Sequence, residues 1–163
     1  ELEILGTDQI VTIKKIVYAG NKVSRAERKS CVMVWLTDEV DLARGNILLN
    51  KNSRYEDSSN LQVNIAWLDK HPFNPKKKYI LRQGTTETFA KVTINSIINL
   101  ETLENCKSSI IRMNEIGTAT VKLAHPILNN EYAYENKLGA LVLIDPVTHQ
   151  TSGALMIKKQ DAR

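Results

Sequence analysis

The chain has 163 residues, 42% of them hydrophobic and 25% charged, with 22 basic against 18 acidic side chains and a formal net charge of +4. These proportions are ordinary for a soluble globular chain, and no apolar run reaches the length of a membrane-spanning helix, nor does a charged-then-apolar leader open the sequence. The mild basicity permits a nucleic-acid or acidic-protein partner without demanding one, and two cysteines are too few for a disulfide framework.

The predicted elements are short strands, with helical periodicity nearly absent. Residues 10–17 (IVTIKKIV) form the first, and 31–36 (CVMVWL) a nearly continuous apolar second. Residues 51–60 are polar and read as a linker. Beyond it, 61–68 (LQVNIAWL) alternate, with Leu61, Val63, Ile65 and Trp67 on one face. Strands follow at 79–83 and 88–98, the latter with Ala90, Val92, Ile94 and Ile98 as its core face. Further strands are predicted at 109–113, 118–123, 140–145 and 153–157. Many short strands at this spacing imply an all-β barrel or sandwich. Cys31 and Cys106 read as small buried or half-buried residues, and Trp35 and Trp67 as core. The chain starts at Glu1 rather than Met, so a piece of a longer protein is expected.

Several chemistries are missing. No G-x-x-x-x-G-K-[ST] loop exists to cradle a nucleoside triphosphate, and no G-x-S-x-G elbow exists. His71, His125 and His149 are scattered, two of them just before proline, and none has a ligand at metal-site spacing. Asp38, Glu39 and Asp41 match no calcium loop. The Lys76-Lys77-Lys78 cluster reads as a solvated loop.

One carboxylate invites a catalytic reading. Asn114-Glu115-Ile116-Gly117 is a polar pair at the start of a strand. A general acid or base needs a partner and a pocket, and neighbours in an extended strand point to opposite faces. The pair therefore reads as a strand-entry corner, with Asn tolerating an unusual φ and Gly117 freeing the residue beside it.

Taken together, four segments carry a resemblance. They are "DEVDLARGNIL" (38–48), "VNIAWLDKHPFNPKKKYILRQGT" (63–85), "MNEIGTATVKLAHPI" (113–127) and "YENKLGALVLIDPVTHQTSGALMI" (134–157). They resemble the second and third domains of translation-factor-type GTPases, and within that superfamily the large, GTP-hydrolysing subunit of bacterial sulfate adenylyltransferase (ATP sulfurylase). Two departures stand out. The usual Arg-x-Thr-Gly is Asn136-Lys137-Leu138-Gly139 here, and the usual ending appears as Thr148 to Ile157 with altered residues.

The resemblance implies two small translation-factor-type β-barrels. The first is incomplete over 1–50, the linker spans 51–60, the second barrel spans 61–158, and a tail covers 159–163. It implies a parent enzyme that couples GTP hydrolysis to formation of adenosine 5′-phosphosulfate and pyrophosphate from ATP and sulfate. GTP and Mg would belong to a GTPase domain upstream. No catalytic, cofactor-binding or metal-binding residue is expected in this chain, which should be inactive alone. The implied partners are the small catalytic subunit and the chain's own GTPase domain, in the cytoplasm and away from membranes. Contact residues expected at strand ends are Arg44, Lys76, Lys78, Arg82, Arg112, Glu115 and Lys137, with pairing to Glu87 or Glu115 as the competing role for the two arginines. The alternative is a barrel that contacts RNA or tRNA; the 6% aromatic content, not interleaved with the basic residues, speaks against it. An incomplete first barrel would leave open strand edges and favour self-association.

Overall fold

The computed structural model describes residues 1–5, 7, 9–50, 56–134 and 136–158. The chain divides into two compact units, Glu1–Arg54 and Tyr55–Arg163.

The first unit is two small open sheets. Strands β1 (Leu2–Ile4), β2 (Ile10–Val11) and β6 (Leu48–Asn50) pair in the order β2-β1-β6, and β3 (Ile13–Tyr18), β4 (Asn21–Val23) and β5 (Met33–Leu36) in the order β4-β3-β5. The predicted strand at 10–17 is thus two strands in different sheets, divided at Thr12. Among the described residues of the first unit the buried apolar side chains are Ile4, Val11 and Val17. So few leave β5 without a covering layer. Trp35, expected in the core, is 43% exposed, with the Lys15 ammonium 4.6 Å from its ring centre.

The second unit holds the main core. It comprises β7 (Glu56–Trp67), β8 (Tyr79–Gln83), β9 (Thr86–Ile98), β10 (Asn105–Cys106), β11 (Ile116–Asn129), a single helical turn α1 (Asn136–Gly139), β12 (Ala140–Ile144) and β13 (Thr151–Ile157). Six strands close in the order β9-β11-β7-β13-β12-β8 and back to β9, all antiparallel. Closure leaves the six strands no free edge. Alternation places Leu61, Val63, Ile65 and Trp67, Ala90, Val92 and Ile94, Ala119 and Val121, and Leu155 and Ile157 inside. Their intervening residues form the outer wall.

The differences from the sequence reading have local causes. Residues 56–60 belong to β7, because the 14-residue β11 supplies Ile127, Leu128 and Asn129 as ladder partners for Ser58, Asp57 and Glu56. Backbone pairing with a long neighbour overrides side-chain polarity there. Residues 51–55 and the tail 159–163 lie outside the described residues. The predicted strand 109–113 is irregular. Its Ile111 is nevertheless fully buried, and the Ile111 carbonyl accepts the Phe73 N–H at 3.0 Å. A single apolar plug, flanked by the Ser108 Oγ that accepts the Ile110 N–H at 3.2 Å, replaces a ladder. In β9 the core face ends on Ile97 rather than Ile98, because a register shift opposite Thr118 and Ala119 skips Asn95. Both cysteines are exposed. Cys106 lies on the two-residue strand β10, which pairs with β9 and is exposed at both residues.

Candidate functional site

The corner before β11 is built from backbone groups. Asn114 has φ 67°, a left-handed conformation that Asn tolerates. Its N–H donates to the Trp67 carbonyl at 2.9 Å, and the Trp67 N–H donates to the Glu115 carbonyl at 3.0 Å. The Glu115 Oε2 accepts the Arg112 N–H at 2.7 Å, and the Glu115 N–H returns to the Arg112 carbonyl at 3.0 Å. The carboxylate therefore caps its own turn. Gly117 is not a turn residue, contrary to the reading from sequence. It lies within β11 where the strand crosses closely over Ser96, and a Cβ there would overlap the Ser96 carbonyl oxygen.

A serine, an aspartate and a histidine do converge at the same barrel end. The Ser152 Oγ donates to Asp69 Oδ2 at 3.3 Å, and His71 Nδ1 lies 3.2 Å from Asp69 Oδ1. The order is wrong for nucleophilic catalysis, which needs the imidazole between hydroxyl and carboxylate. Here the carboxylate is in the middle, and Ser152 is fully buried. Asp69 instead caps a turn by accepting the His71 N–H at 2.9 Å. That backbone bond, chiefly, holds its carboxyl below the usual range.

Loop 68–78 is fixed to this end by an aromatic trio. Trp67 meets Phe73 and Tyr79 edge-on at 5.5 and 5.9 Å, and its Nε1–H donates to the His71 carbonyl at 2.7 Å. From the loop, Lys77 pairs with Asp145 at the start of the β12–β13 turn. Asp145 also accepts the Val147 and Thr148 N–H groups at 2.8 and 3.2 Å. The Lys77 bond leads in lowering its carboxyl pKa, while burial raises that of the Tyr79 phenol.

The opposite barrel end is closed by Gln83. Its buried Nε2 donates to the carbonyls of Leu128 at 2.8 Å and Leu138 at 2.6 Å, tying β8 to β11 and α1. Gly139 presses against Tyr132 so closely that a Cβ would overlap its backbone. The altered Asn136–Gly139 segment is thus a packed corner.

The residues expected to form a contact surface are dispersed. Lys76, Lys78, Arg112 and Glu115 sit at the end that carries loop 68–78, as the Phe73–Ile111 and Asn114–Trp67 bonds require. Lys137 lies on α1 at the other end. Arg82 is on the side wall and gives its Nε–H to Glu87 Oε1 at 2.7 Å across the β8–β9 ladder, with its Nη2 on the same oxygen. Arg112 is exposed, and it is its backbone N–H that Glu115 holds. Arg44 belongs to the first unit. Sequence reasoning missed Lys77 and Asp145, whose separation of 68 positions hides their pairing. Among the described residues no three His, Cys, Asp or Glu side chains gather as a metal site, and no helix is long and apolar enough to cross a membrane.

The closed six-stranded antiparallel barrel is that of a class: the C-terminal barrel of translation-factor-type GTPases. The chain belongs to the GTP-eEF1A C-terminal domain-like family, whose sequence model matches residues 60–158. It is 34% identical over 146 residues to the bifunctional enzyme NodQ of Rhizobium sp. (strain N33), covering 89% of this chain and 23% of that protein. It is 29% identical over 159 residues to sulfate adenylyltransferase subunit 1 of Francisella tularensis subsp. tularensis (strain SCHU S4 / Schu 4), covering 97% of this chain and 34% of the relative. The subunit 1 of Aliarcobacter butzleri (strain RM4018) is 28% identical over 165 residues, with 98% and 34% covered. The chain therefore spans about a quarter to a third of these relatives' length. In fold it matches the structure of Sup35 complexed with GDP, with TM-score 0.86 at 12% identity over 99% of this chain and 40% of that one. The resemblance to the large sulfate adenylyltransferase subunit, read from the four segments, holds along nearly the whole chain.

Proposed function

We infer that this chain is the C-terminal barrel region of a sulfate adenylyltransferase GTPase subunit. In this reading it carries no catalytic group. It positions a GTPase domain and the small catalytic subunit so that GTP hydrolysis drives adenosine 5′-phosphosulfate synthesis in the cytoplasm. GTP and Mg belong to the GTPase domain, since this sequence has no phosphate-cradling loop. The observation that carries the reading is identity of 28–29% across 97–98% of the chain to two proteins named sulfate adenylyltransferase subunit 1. A closed barrel suits positioning because its ladder resists shear.

Of the expected contact residues, Lys76, Lys78, Arg112, Lys137 and Arg44 are exposed and are proposed contacts. Arg82 and Glu115 already serve the barrel itself. The test is co-elution of the chain with the small adenylyltransferase subunit of its own source at low and high salt. A complex that survives high salt supports the reading. Absence of a complex, with steeply salt-dependent RNA binding instead, would replace it by the RNA-contacting alternative.

A further inference from the structure

The outer wall formed by β9, β11, β7 and β13 has a polarity gradient that the barrel's own stability does not explain. Ladder register aligns its rows. At one end Ile116 stands opposite Ala66, and Ala66 opposite Ala154. Ile116 is 37% exposed, and the two half-buried alanines leave a shallow trough beside it. In the middle the Asn95 Nδ2 donates to Thr120 Oγ1 at 3.0 Å and the Thr120 hydroxyl donates to Gln62 Oε1 at 3.2 Å; Lys158, just past β13, continues this row, its N–H donating to the Gln62 carbonyl at 2.8 Å. At the far end Lys122 stands directly opposite Lys91. All three lysines are exposed and none has an ion pair among the described residues. No Asp or Glu occurs in 60–66, 91–95, 116–122 or 154–158.

Like charges directly opposite in an antiparallel ladder destabilise it. An acid at position 91 or 122 would convert that repulsion into a cross-strand pair, yet both positions are lysine. Charge complementarity therefore calls for an anionic partner at this end. The other end argues what kind. A nucleic-acid backbone would cover the lysines but gain nothing from the apolar trough. A protein surface with carboxylates at one edge and an apolar side chain at the other matches both. The wall from residue 116 to residue 122 runs about 20 Å along the strand and four strands make it about 15 Å wide, enough for the centre of a small protein interface.

We propose that this wall is the docking face for the partner protein, with Lys91, Lys122 and Lys158 receiving carboxylates and the Ile116–Ala66–Ala154 trough receiving an apolar side chain. It rests on the reading of the barrel as a docking module for the small adenylyltransferase subunit, and it names the surface that reading left open. The test uses the full-length parent protein and that subunit. Lys91→Glu should raise the unfolding midpoint, because it replaces a Lys–Lys contact with a Glu–Lys pair, and should weaken the complex about tenfold at low salt. Ala154→Arg, which fills the trough, should weaken it at high salt too. Lys14→Glu, with the same charge change in the first unit, should leave the affinity unchanged. A wild-type complex that both wall variants form equally well overturns the docking face and leaves the functional reading standing. Failure of the wild type to bind the subunit overturns both. Binding of a mixed-sequence RNA that Lys91→Glu abolishes, with subunit binding untouched, overturns the protein occupant.

Discussion

Gly117 on β11 crosses Ser96 on β9 so closely that a methyl group on Gly117 would overlap the Ser96 carbonyl oxygen. The crossing sits where Gly117 faces Ile97 and the register shifts past Asn95. Backbone, not a flexible side chain, occupies the space, so neither partner can step aside cheaply. Gly117→Ala should destabilise the barrel by about 1–3 kcal/mol through overpacking, read as a lower midpoint in urea unfolding. An unchanged midpoint would mean that the bulge relaxes freely.

The Asn114–Glu115 corner should behave as structure. Glu115→Ala removes the acceptor for the Arg112 N–H and should cost about 1 kcal/mol, with Glu115→Gln costing less. Asn114→Gly should be near neutral and Asn114→Val clearly destabilising, since a β-branched residue resists φ 67°. Turnover measured in the full parent enzyme should follow stability alone. A folded Glu115→Gln variant without turnover would restore the catalytic reading of this residue.

Acid should weaken the barrel through two carboxylates. Asp69 and Asp145 are both held below their ordinary range, by the His71 N–H and by Lys77 respectively. Each thus adds stability that is complete above the unfolded value, about 3.9, and is lost as pH falls through the folded value. Asp69→Asn and Asp145→Asn should each flatten the fall in unfolding midpoint below about pH 4. Equal acid sensitivity in wild type and both variants would refute this.

Removing the cation tests the same pair at neutral pH. Lys77→Met leaves Asp145 with its two backbone donors but no counter-charge, at an expected cost of about 1.5–3 kcal/mol. The Asp145 carboxyl resonance should then titrate at higher pH than in the wild type.

Gln83→Leu should loosen the far end. Two carbonyls, of Leu128 and Leu138, lose their buried donor, at about 1–3 kcal/mol for an orphaned buried group. Amide exchange should accelerate first in residues 136–139. Uniform protection there would show that Gly139 packing alone holds α1.

The sequence by itself determined the strands whose alternation is strong. Leu61 to Trp67 and Ala90 to Ile94 are legible because every second side chain is apolar, and one face must leave water. The family resemblance was legible for a similar reason: turn residues and apolar runs are local. The tertiary structure decided what depends on distant partners. Glu56–Asn60 are strand because β11 is long enough to pair with them. Ile97 replaces Ile98 because of a bulge set by the neighbouring strand. Trp35 is exposed because its unit has little to lay over it. Lys77 finds Asp145, and Lys91 faces Lys122, only once the barrel closes. Local pattern tells which face of a strand is apolar; register and closure, set by hydrogen bonds between distant segments, decide which side chains meet.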